Sequence, residues 1–199
     1  MELVEDIALT DALARFQDRL RSGASAGTIV REFVTHGGSV VIDDQTYARL
    51  REHAGAALQV SPNQNVYLVG SAKLGFSIKP RRRYGLFGDD SDVDLAIASS
   101  GLYERLWGEV RRYSRGGGLW EDDTRVHFKN DHANGVIKPY VVPDSDAIPT
   151  RRMLFDLESE LQRVGGSPYP VTIAVWHSID VLEEYQTLAV MKCQEALEL

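Results

Sequence analysis

The heptapeptide Asp92-Val93-Asp94-Leu95-Ala96-Ile97-Ala98 admits few conformations. It sets two carboxylates two residues apart at the head of an apolar run. Successive side chains of a β-strand point to opposite faces, so residues i and i+2 share one face. Asp92 and Asp94 then project together, and Val93, Leu95 and Ile97 project the other way into a core. Two carboxylates held side by side repel. A fold tolerates them most easily where a cation lies between them. Upstream, Val66-Tyr67-Leu68-Val69 reads as a second apolar strand, closed by Gly70-Ser71. A glycine there lets a phosphate approach the backbone, and the serine adds a hydroxyl and an amide at a helix start. Ala72 to Phe76 reads as a short helical turn. Lys73 in it is a candidate to assist phosphates, with a plain exposed lysine as the alternative. The segment from Pro80 to Asp90 is polar, glycine-bearing and basic, with Arg81, Arg82 and Arg83 in a row. It reads either as a flap over a ligand, since arginine donors suit phosphate oxygens, or as a solvated loop.

Gly-Ser after one apolar strand and Asp-x-Asp inside the next resemble the signature of the DNA polymerase β-like nucleotidyltransferase superfamily, in its minimal, stand-alone bacterial form. The resemblance is confined to the middle of the chain. It implies an α/β (α+β) protein with a small mixed β-sheet flanked by helices, similar to the polymerase β palm. In that superfamily the Gly-Ser turn holds the triphosphate of a nucleotide, and the Asp-x-Asp pair holds magnesium. By resemblance, Gly70 and Ser71 bind the nucleotide, and Asp92 and Asp94 are both metal ligands for Mg²⁺ (or Mn²⁺) and catalytic. The implied reaction moves an NMP from an NTP to a hydroxyl on a nucleotide, an RNA end, a small molecule or a protein. Relatives of this size include antitoxin-like and antiviral-defence proteins, which implies a protein partner.

Two departures stand out. The gap from Lys79 to Ser91 is longer than the usual one. The third carboxylate of the family pattern, carried on a later strand, has no clear counterpart. The late extended candidates are Thr124–Phe128, Gly135–Pro143 and Pro170–Trp176, and none has an acid in its middle. Asp123 and Asp131, which flank the first, are the candidates for that acid. Without it the attacking hydroxyl lacks a base. The alternative function is then a catalytically inactive nucleotide-sensing or partner-binding module of the same fold. A chance motif in a regulatory or structural α/β protein is a third reading.

The rest of the chain frames this centre. Its 199 residues suit one compact unit, read as a helical lead-in over 1–62 and a core over 63–199. Leu9, Leu13, Phe16 and Leu20 fall at helical spacing, as do Tyr47, Leu50, Ala54 and Leu58, Leu106 and Val110, and Leu154, Leu157 and Leu161. Ser178 is placed to cap a last helix. The net charge of −7 argues against gripping extended nucleic acid by its phosphates. It leaves an NTP substrate open, because magnesium brings phosphates to an acidic site. The single cysteine, Cys193, excludes an internal disulfide and fits a cytoplasmic protein. The acidic start lacks the order of a signal peptide, and no apolar run is long enough to span a bilayer.

Overall fold

The computed structural model describes residues 2–197, with side chains from residue 6 onward. The side chains of the acidic start lie outside the described residues. The centre is a four-stranded mixed sheet in the order β1-β2-β4-β3. Its strands are β1 (Val66–Val69), β2 (Val93–Ala98), β3 (Val136–Ile137) and β4 (Val171–Trp176). β1 runs antiparallel to β2, β4 lies parallel to β2, and β3 closes the far edge antiparallel to β4.

Alternation along these strands sorts the helices. Val66, Leu68, Val93, Leu95, Ile97, Ile173 and Val175 face one core. It is completed by α3 (Asp44–Leu58), α6 (Ser100–Arg115) and α8 (Pro149–Gly165). Val69, Ala96, Val136 and Trp176 face the other core. There they meet α1 (Glu2–Arg21), α2 (Ala26–Val30) and α9 (Ile179–Glu195). Phe16 of α1 anchors that side, its ring centroid 5.4 Å from Phe33 and 5.1 Å from Phe76. The helices start where side chains can take their free amides. Asp43 caps α3 through Thr46 N at 2.9 Å, and Ser99 and Ser178 cap α6 and α9 in the same way. Among the described residues no helix is long and apolar enough to cross a membrane.

Two readings of the sequence are corrected. Thr124–Phe128 is not a strand but part of α7 (Asp122–Ala133), which follows the short helix pair α4 (Pro62–Asn65) and α5 (Gly70–Leu74) and then α6 in the chain. Asp122 and Asp123 sit in its first turn, where acids are favoured, and Phe128 is its one buried residue. The 135–143 stretch is a strand for only two residues, after which Pro139 turns it into a 3-10 helix over Pro139–Val141. Val40-Val41-Ile42 is a connection. Its amides at Val41 and Ile42 donate to Ser39 Oγ, which itself donates to the Ala72 carbonyl at 2.7 Å. The chain passes from α2 into a π-helical turn over Arg31–Thr35.

Because β3 is so short, β4 presents an unpaired amide beyond it. Ile173 N–H donates to the Glu158 carboxylate of α8 at 2.7 Å. Burial pushes the Glu158 carboxyl above its ordinary range, and that bond opposes the shift.

A buried acid joins two helices. Glu109 of α6, 6% exposed, accepts from Thr150 N at 3.0 Å and Thr150 Oγ1 at 2.7 Å, in the first turn of α8 after Pro149. Glu109→Ala strips both donors of their acceptor. It is expected to cost about 2–3 kcal/mol, seen as a fall in Tm of about 5–10 °C for a chain of this size. Thermal and urea melts check this, and an unchanged Tm would show that the buried carboxylate does not stabilise α8.

Candidate functional site

Strand register builds the site. β2 lies between β1 and β4, and Asp94 pairs with Val69 on one side and Thr172 on the other. The chain then leaves β1 directly into α5 at Gly70, whose φ is +71°. Only glycine adopts that conformation without strain. A Cβ at this position would also collide with the Asp94 carboxylate, so a side chain there and the acid cannot share the space. On the other flank, Thr172 Oγ1 donates to Asp94 Oδ1 at 2.9 Å. Asp92 precedes the strand on the same face. The turn before it is closed by Ser91 N donating to Gly88 O at 2.8 Å and Gly88 N donating to Ser91 Oγ at 3.1 Å.

Burial raises the pKa of Asp94, and the charge of Asp92 raises it further. Lys79, the Thr172 hydroxyl and Lys138 pull it back. The two acids form the floor of a cavity of about 550 Å³ between the sheet and α9. Gly70 and Ser71 line it beside them. Lys79 and Arg82 reach it from the basic segment, Lys138 from beyond β3, and Lys192 from α9. Leu74, Ile78, Trp176, Tyr185 and Leu188 supply an apolar wall. The volume is that of a site for a ligand of small-molecule size.

The basic segment is fastened rather than free. Ser77 and Tyr84 exchange backbone bonds with its two limbs, Ser77 N to Gly85 O at 2.9 Å and Tyr84 N to Ser77 O at 2.7 Å. Phe87 N donates to Gly75 O at 2.9 Å, and Phe76 bridges Leu86. The Tyr84 hydroxyl reaches the Cys193 carbonyl of α9 at 3.4 Å. Burial pushes that phenol up to about 12. Arg81 and Arg82 remain exposed at the tip.

The structure thus brings Gly70, Ser71, Asp92 and Asp94 to one cavity. Lys73 is not there. It is 2% exposed, and its ammonium donates to the Gly37 carbonyl and lies 6.0 Å from the centre of the Tyr47 ring. It holds the 37–42 connection against α5, a role that neither the phosphate reading nor the exposed-lysine reading anticipates. Burial lowers its pKa to about 8; Asp44 opposes the shift and Arg51 adds to it. The two candidates for a third acid also lie outside the cavity. Asp123 is exposed in the first turn of α7. Asp131 binds Lys138 at 3.0 Å. Among the described residues, no three or more His, Cys, Asp or Glu side chains gather to hold a metal ion. Asp92 and Asp94 remain as a pair, which suits one divalent ion completed by water or ligand oxygens.

Sequence reasoning missed Thr172 and Lys138. Each had a signal in alternation, Thr172 with Ala174 and Trp176, and Lys138 with Val136. Their meaning depended on which strand lies beside β2. No known protein family, curated protein or solved structure matches the chain.

Two predictions follow from this geometry. Gly70→Ala is expected to destabilise the fold by about 1–3 kcal/mol, from the left-handed φ and the collision together. In an Asp94→Ala background only the backbone part, about 1 kcal/mol, should remain. A double-mutant cycle in urea checks this, and full additivity would show that the two residues do not compete for space.

The second concerns Lys73. Folded, it loses its proton near pH 8, against an ordinary 10.5. Between these values the unfolded chain binds more protons, so this group makes stability rise with pH from about 8 to about 10.5. Lys73→Met removes that slope. Wild type should therefore gain on Lys73→Met by up to about 3 kcal/mol between pH 7.5 and pH 10.5. Urea melts of both proteins across this range test it; a constant difference would show that Lys73 keeps its ordinary affinity for protons.

Proposed function

We propose that the chain is a metal-dependent nucleotide-binding protein of nucleotidyltransferase type, with a polymerase β palm-like fold and an NTP with Mg²⁺ as its ligand. The observation that carries this reading is the half-buried Asp94, paired with Asp92 and set against Gly70-Ser71 in a cavity that also holds lysines. A carboxylate partly withdrawn from water beside a second one is favoured by positive charge close by. Mg²⁺ is commonly held by one or two carboxylates together with substrate phosphates, and Asp92 and Asp94 would be those ligands here. When bound, the ion would neutralise the triphosphate and polarise the α-phosphate. Gly70 keeps the floor open to the phosphates, and Ser71 offers them a hydroxyl. Lys79 and Arg82 add charge from the fastened loop. The apolar wall under α9 suits the flat faces of a nucleobase.

Transfer to an acceptor needs more than binding, because the attacking hydroxyl must lose its proton. The residue opposite Asp94 on the neighbouring strand is Thr172, and its hydroxyl already donates to Asp94. That observation favours nucleotide binding without transfer, as in a sensing or partner-binding module. The transferase reading rests on the resemblance alone.

The test sets wild type beside Asp92→Ala/Asp94→Ala, with each of the four NTPs and Mg²⁺ or Mn²⁺. Tm and pyrophosphate are both measured. The expected outcome is a metal-dependent rise in the Tm of wild type only, with no pyrophosphate released. Pyrophosphate from wild type alone would replace the sensing reading with the transferase. If no NTP shifts the wild-type Tm, the nucleotide reading falls.

A further inference from the structure

Lys138 follows Val136 by two residues, and its backbone is still extended, with φ −100° and ψ 128°. Its side chain therefore continues the face that carries Val136, Trp176 and Asp94. Lys138 lines the cavity, and its charge acts on Asp94. A lysine of four flexible methylenes does not hold one position unaided. Here Asp131, near the end of α7, accepts a bond from it at 3.0 Å. The two side chains are 30% and 20% exposed, so this is not a loose surface pair. Asp131 itself does not line the cavity. An ammonium has three donors, so the bond to Asp131 leaves others for a ligand.

The charges explain what such a lysine is for. Two carboxylates offset one divalent ion. A polyphosphate that shares this ion brings several further negative charges, and among the described residues no third carboxylate lines the cavity to recruit another metal ion. We propose that Lys138 is the fixed cation that binds the phosphate oxygens of the ligand beside Asp92 and Asp94, and that Asp131 is its positioning residue. The ligand class is a polyphosphate ester bound with a single divalent ion. This inference rests on the nucleotide reading above. It carries a signature of opposite signs: Lys138 attracts the anion and repels the metal ion, so its removal weakens one without weakening the other.

Calorimetric titration of the full chain with Mg²⁺ alone, with inorganic tripolyphosphate plus Mg²⁺, and with an NTP plus Mg²⁺ tests it. Lys138→Met is expected to weaken tripolyphosphate and NTP binding by about 10- to 100-fold. Mg²⁺ alone should bind no more weakly than to wild type. Lys138→Arg should keep most of the anion binding. Asp131→Asn keeps the lysine but loosens it, and should fall between wild type and Lys138→Met. Circular dichroism establishes that each variant is folded, and Asp131→Asn carries the test if Lys138→Met is not. Tripolyphosphate binding equal to wild type in the folded variants overturns the assignment and leaves the nucleotide reading standing. Equal losses for Mg²⁺ alone and for tripolyphosphate would mark Lys138 as merely structural and overturn it as well. A wild type that binds neither tripolyphosphate nor any NTP overturns both.

Discussion

The partial burial of one carboxylate organises the middle of this molecule. Asp94 stands in β2, one of the two interior strands of the sheet, where an unpaired charge is costly. Its surroundings are arranged around that cost. The backbone of Gly70 gives up a side chain to make room. The hydroxyl of Thr172 supplies a bond from the next strand. Lys79 and Lys138 supply charge from a loop and from beyond the sheet edge. These groups lie far apart in the chain, from residue 70 to residue 172, and only the sheet order brings them together. The same acid that makes the site chemically interesting therefore depends on most of the fold being correct.

What the sequence disclosed follows from this. The period-two pattern of β2 is local, so the shared face of Asp92 and Asp94 was readable, as was the turn at Gly70. The long amphipathic helices were equally plain, because their spacing repeats over several turns. Short segments were not. The five residues around Val126 and Phe128 alternate as a strand would, yet they form a helix that buries Phe128 and leaves Val126 exposed, and the acids before them are the better guide. Long-range order was hidden altogether. Nothing near Thr172 says that it will stand opposite Asp94. Nothing near Asp131 says that it will hold a lysine rather than a metal ion. Lys73 was misread because charge was taken as a sign of exposure. Its neighbours Ala72, Leu74 and Phe76 are all buried, and the lysine is buried with them.

The walls of the cavity also differ in how firmly they are held. The floor is sheet, with bonds to strands on both sides. The roof is α9, packed on α2 and on the sheet by Leu182, Val190 and Cys193. The basic loop joins them, fixed at its base by backbone bonds and at Tyr84 by the contact with α9. A ligand that pulled on the exposed arginines would act against α9 through that tyrosine, so loop and roof form one lip.

At the far side of the sheet, the two-residue strand β3 leaves most of the β4 edge without a partner strand. An open edge of this kind is a template for the strand of another molecule. The amide that such a strand would need, at Ile173, is already taken by Glu158, and α8 lies beside it. The acid does for the edge what a longer strand would otherwise do. With that amide satisfied the sheet stops early, and the chain after Ile137 turns and places Lys138.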